Sequence, residues 1–185
     1  MPRPTQEEID AEIVDRASAL FARHGYRHTS VQQIADAVGY SKAGLLHRFP
    51  GKEAIHQAAV RSALERSEDL VARLTDVPAG PDRDRVLVET LVDNALRHPG
   101  TSAFLYALSD PGSPGEPPPE VRRAGLALAD VFGVDPEQPD PGRLVRMIVV
   151  AIGIHHAAES AASRGRQHEW RGHIVATALA ALGSG

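Results

Sequence analysis

The stretch Thr29–Lys52, TSVQQIADAVGYSKAGLLHRFPGK, constrains the fold more than any other part of the chain. Ser30 followed by Gln33 is a capping-box pair that satisfies orphan backbone donors at a helix start. Val31, Ile34, Ala35 and Val38 then repeat at helical spacing and predict one apolar face. Gly39 ends that helix, since a residue without Cβ takes the left-handed conformation cheaply. Ser41 caps a second helix over Lys42–Phe49, and Pro50-Gly51 breaks it. Ala35, with Gly39 four residues on, lets the two helices meet closely and steeply. This is the geometry of a helix-turn-helix whose second helix enters the major groove of DNA.

The charge pattern points the same way. The chain has 20 Lys and Arg against 24 Asp and Glu, a formal net charge of -4. Between Arg23 and Lys52, however, Arg23, Arg27, Lys42, Arg48 and Lys52 face a single acid, Asp36, with His24, His28 and His47 among them. Both lysines of the chain, Lys42 and Lys52, lie in this window. A basic patch on a mildly acidic body suits a protein that touches DNA with one end. The absence of cysteine excludes a disulfide scaffold and a thiolate metal site. The expected compartment is cytoplasmic, with no membrane partner: the opening residues lack a basic-then-apolar pattern and no apolar run reaches membrane-spanning length.

Phe21, Gly25, Thr29, Ile34-Ala35, Gly39, Ser41-Lys42, Leu45, Phe49 and Lys52-Glu53 together resemble the DNA-binding domain of the TetR family, the one-component bacterial repressors. The resemblance covers about the first third of the chain. It implies an all-α fold, with an N-terminal three-helix helix-turn-helix domain over 1–52 and a C-terminal helical ligand-binding and dimerisation domain over 53–185. It further implies a non-enzymatic regulator, without a cofactor, that binds a palindromic double-stranded operator as a homodimer and is released by a small-molecule effector. Two other classes share such a fold: a helical ligand-binding enzyme and a protein-interaction module.

Within the recognition helix, Leu45 and Phe49 point inward, and Lys42, Ala43 and Gly44 occupy the exposed first turn that meets base edges. Lys42 offers donors for guanine O6 and N7, Ala43 a methyl for thymine, and Gly44 a close backbone approach. His47 and Arg48 lie farther along as candidate base or phosphate contacts. By resemblance, Gln32 reads a base and Thr29 touches phosphate, while Lys52 holds a phosphate at the start of the next helix. Tyr40 and Ser41 in the turn complete the candidate face. The family usually has Tyr at position 46, whose hydroxyl meets the DNA backbone; Leu46 here removes that contact.

Before the motif, Met1–Pro4 is an extended arm carrying Arg3, and Thr5 with Glu8 opens a helix that Gly25 ends. After it, apolar spacing predicts helices over Lys52–Leu74, Arg83–His98, a short one capped by Thr101, Glu120–Phe132, Arg143–Ser163 and His168–Leu182. PGSPGEPPP, Pro111–Pro119, reads as a loop. Arg143–Ser163 is apolar nearly all round and therefore expected to be buried on more than one side. The last two helices are expected to form an isologous dimer interface, with close approach compensating Gly153. Phe104, Leu105, Tyr106, Met147, Ile148 and His155, with Glu89 and Asn94 as polar contacts, are the candidate effector pocket. His155-His156 and His168 with His173 do not share a face, so no metal site is expected.

Overall fold

Thr5 begins the first helix as the sequence predicts: its Oγ1 accepts from the Glu8 amide at 3.2 Å and its own amide donates to Glu8 Oε2 at 2.7 Å. The computed structural model describes residues 5–109 and 117–183; the Met1–Pro4 arm with Arg3, and residues 111–116 of the predicted loop, lie outside them. Among the described residues the chain is helical throughout: α1 (Gln6–His28), α2 (Val31–Val38), α3 (Lys42–Arg48), α4 (Lys52–Leu74), α5 (Pro81–Arg97), α6 (Pro99–Ser109), α7 (Pro119–Val131), α8 (Pro141–Ser163) and α9 (Gln167–Leu182). Gly25, at φ 75°, breaks α1, and one further turn carries the chain to Thr29.

Two apolar cores form. The first joins Ile13, Val14, Ala17 and Phe21 of α1 to Ile34 and Ala35 of α2, Leu45 of α3, and Ile55, Ala59 and Ala63 of α4. Ile34 and Leu45 have no exposed surface, and each such burial is worth about 1.5–3 kcal/mol. This core runs past residue 52 into α4 and takes in Phe104 of α6, so packing does not divide the chain at the end of the motif. The second core collects Leu70 and Leu74 of α4, the inner face of α5, Phe132 and Val134 after α7, and one face each of α8 and α9. Arg143 on α8 ties this body together, pairing with Asp84 of α5 at 3.0 Å and donating to the Phe132 carbonyl.

The start of α6 departs from expectation. Thr101 lies inside the helix rather than capping it, and Pro99 is its first residue. The free amides are satisfied from another element: Asp15 of α1 accepts from Gly100 N at 3.3 Å, Thr101 N at 2.8 Å and Thr101 Oγ1 at 3.0 Å. A carboxylate there also suits the positive end of the helix dipole.

The fate of α8 is a second departure. By length and composition this helix is apolar enough to cross a membrane, yet Val150, Ile154, Ala158 and Ala161 pack inside the bundle. Its opposite face is uncovered, with Val145, Ile148 and Val149 respectively 57%, 43% and 55% exposed. Burial on more than one side is therefore not achieved within a single chain.

Candidate nucleic-acid interface

The turn between α2 and α3 is built as its residues dictate. Gly39 takes φ 71°, its amide closing on Ala35 and Asp36, and the Tyr40 amide donates to Ala35 O at 2.9 Å. Ser41 Oγ then accepts from the Gly44 amide at 3.0 Å and starts α3. Leu45 pins the back of α3 into the first core, which leaves Ser41, Lys42, Ala43, Leu46 and His47 exposed on its front. Tyr40 and Gly44 are half-buried beside them. Gln32 of α2 is exposed too, its amide donating to Asp36 Oδ1 at 2.8 Å. These residues form one exposed face with a cation, Lys42, at the start of the helix.

Three predicted contacts are otherwise engaged. Thr29 is buried, its hydroxyl donating to Gly25 O at 2.9 Å, so it closes the end of α1 rather than presenting an oxygen to phosphate. Arg48 turns back onto α1, with Nε 3.2 Å from Asp10 Oδ1 and a further bond to Gln6, because its position on α3 faces that helix. Lys52 donates to the Tyr26 carbonyl at 2.8 Å and lies 4.2 Å from the centre of the Tyr26 ring. Its remaining N–H groups adjoin the start of α4, but its first role is to clasp α4 to the end of α1.

That clasp belongs to a cluster the sequence reading missed. Tyr26 donates its hydroxyl to Glu53 at 2.8 Å; this bond lowers the Glu53 carboxyl and raises the Tyr26 phenol. His56 packs edge-on against Tyr26, Phe21 and Phe104, with ring centres 4.8, 5.1 and 5.5 Å away. Burial holds its imidazole below the ordinary value. The spacing of Tyr26, Glu53 and His56 in the sequence carries no periodic signal that would group them.

The predicted effector residues divide. Asn94 and Leu105 line a small cavity of about 50 Å³ between α4, α5, α6 and α7. Tyr106 and His155 stack at 6.4 Å along a wider cleft of about 930 Å³ between α1, α6 and α8. Phe104 instead belongs to the first core, Met147 packs on the second, Ile148 faces outward from α8, and Glu89 lines neither space. Helix rotation decides this: Phe104 and Leu105 both pack on the first core, but about 100° apart on α6 only Leu105 also lines the small cavity. In the cleft, His155, His156 and Glu159 bring ligand-type atoms within 4.8 Å of one another, a grouping the sequence reading did not expect. Glu159 already pairs with Arg23 of α1 at 3.2 Å.

An exposed second helix held by a buried turn, on a three-helix head joined to a helical body, defines a helix-turn-helix protein. Residues 13–59 match the family described as bacterial regulatory proteins, tetR family. It is 30% identical over 92 residues to the HTH-type transcriptional repressor Rv1474c of Mycobacterium tuberculosis, covering 45% of this chain and 49% of that protein. It is 36% identical over 81 residues to the HTH-type transcriptional repressor KstR2 of Rhodococcus jostii, covering 44% and 38%. The match thus spans about half the length of these curated relatives or less. Over nearly the whole chain the fold is similar to the crystal structure of Mycobacterium smegmatis AmtR, with 25% identity, TM-score 0.51, and coverage of 99% of this chain and 88% of that one.

Proposed function

We propose that the chain is a cytoplasmic, non-enzymatic transcriptional repressor that binds a palindromic operator as a homodimer and leaves it when a small effector enters the body. The observation that carries this reading is the first turn of α3, where Lys42 and Ala43 stand exposed while Leu45 locks the helix from behind. A helix with an exposed cation and a methyl at its start offers donors to guanine and apolar contact to thymine. Gln32 and His47 flank it, and Lys52 with the start of α4 adds a phosphate site.

The uncovered Val145–Ile148–Val149 face of α8 supports the dimer, since exposed apolar area of this kind is costly unless a partner covers it. A two-fold pair then sets two α3 helices for successive major grooves, about 34 Å apart. Small rotations of one head relative to the other abolish that match, which is how effector binding is read as release.

Selection of bound sequences from random duplex DNA tests this reading. A palindromic consensus with half-sites one helical turn apart is expected. Enrichment of no sequence, with binding that is insensitive to salt, points instead to a protein-interaction module. Turnover of a small molecule without DNA protection points to an enzyme.

A further inference from the structure

Arg66, half-buried on α4, is with Arg83 one of two arginines of the body whose buried Nε has no partner among the described residues. Arg143 pairs with Asp84, Arg171 with Asp93 and Arg166 with Glu169, whereas Arg66 makes no hydrogen bond or ion pair among the described residues. Its Nε is buried and unpartnered, and burial holds the guanidinium below its usual value. A cation partly withdrawn from water without a paired anion carries a cost, and that cost is recovered when an anion arrives. Arg66 lines the 50 Å³ cavity, where Asn94, His98 and Thr101 supply polar groups and Leu70 and Leu105 an apolar wall.

The carboxylate that acts most strongly on Arg66 is already occupied. Asp15, ahead of Asp69 and Glu65, lowers the cost of the Arg66 charge through space, but its two oxygens serve Gly100 and Thr101 at the start of α6. Thr101 thus faces two ways: it lines the cavity and its hydroxyl holds α1. The volume accommodates roughly four water-sized particles at about 10–15 Å³ each, which is the size of a carboxylate with a very short aliphatic tail.

We propose that the cavity between α4, α5, α6 and α7 is a receptor for a short-chain carboxylate, of the size of acetate to butyrate, whose anionic head pairs with Arg66. Its tail lies against Leu70 and Leu105. The head draws on Thr101, so its arrival competes with Asp15 for the Thr101 hydroxyl and loosens the join between α1 and α6. Because α1 leads directly into the helix-turn-helix, this coupling rests on the DNA-binding reading, while the site itself does not.

Calorimetric titration of the full chain with sodium acetate, propionate and butyrate, and with neutral butyramide, tests the site. Saturable binding of a carboxylate, about tenfold or more stronger than that of butyramide, is expected from one charge-assisted pair. Arg66→Gln, checked for a native circular dichroism spectrum, is expected to abolish the difference, and Arg66→Lys to restore part of it. Absence of saturable binding by all three acids, equal binding of amide and acid, or unchanged binding in a folded Arg66→Gln overturns the proposal. If Arg66→Gln does not fold, the acid-to-amide ratio on the wild-type chain decides alone. A chain that binds butyrate but selects no DNA sequence keeps the site and overturns the repressor reading. One that selects DNA but binds no carboxylate does the reverse. Where both hold, butyrate is expected to weaken DNA binding in wild type and not in Arg66→Gln, and equal affinities with and without butyrate overturn the coupling.

Discussion

Gly100 of α6 rests so closely on Asp15 of α1 that a Cβ added there would lie 1.9 Å from the Asp15 carbonyl oxygen. The obstacle is backbone, so it cannot swing aside. Here the head meets the body, and the Asp15 carboxylate caps α6 in the same place. Gly100→Ala should therefore cost about 1–3 kcal/mol or more through overpacking, despite a better helix propensity. Urea unfolding checks it; a neutral or stabilising effect would show that α1 and α6 can separate freely.

Lys42 and Lys52 should behave differently. Lys42→Ala should lose about 1–3 kcal/mol at one base position and relax the preference there. Lys52→Met should weaken binding to every duplex and reduce the salt slope by about one. It should also lower stability, since Lys52 clasps Tyr26. Fluorescence anisotropy over a salt series with matched and mismatched duplexes separates the two. Equal losses on all duplexes for both variants would refute the division of roles.

Leu46 is exposed on the front of α3 and contributes no hydroxyl. Leu46→Tyr should tighten binding to all sequences alike, by about 1 kcal/mol for one added hydrogen bond to the DNA backbone. A change in base preference, or weaker binding, would place position 46 away from phosphate.

The exposed face of α8 yields a prediction about assembly. Val149→Glu should leave the single-chain fold intact and give a monomer in sedimentation, with much weaker operator binding. Gly153 has nothing within 4 Å of a built Cβ inside the chain, so any close approach there comes from a partner. Gly153→Ala should accordingly weaken the dimer, whereas a chain whose α8 face stays free should gain about 1 kcal/mol in stability.

Stability should fall in mild acid. His56, His98 and His155 are all held below the ordinary histidine value, chiefly by burial, with Arg66 adding to the effect at His98 and His156 at His155. Each binds a proton more readily unfolded than folded. Their contribution is thus complete above the unfolded value, about 6.5, and declines as pH drops below it towards the folded values. Melting temperatures between about pH 8 and pH 5 should show this loss. His56→Phe should flatten it; an undiminished slope would assign the effect elsewhere.

Most of the head was legible in the chain itself. Ser30 with Gln33, Gly39 and Ser41 are local signals, because a cap or a left-handed turn is settled by residues within one helical turn of one another. The same locality made the helices of the body readable to within a few residues, and it singled out Lys42 and Ala43 as the exposed start of α3. What only the tertiary structure decided are the relationships between elements. The capping of α6 by Asp15 and the diversion of Arg48 inward onto Asp10 each join residues far apart in sequence. The turning of Leu105, but not Phe104, toward the small cavity belongs with them. Such pairings depend on how helices rotate and cross as whole faces are buried, and no local pattern encodes that angle.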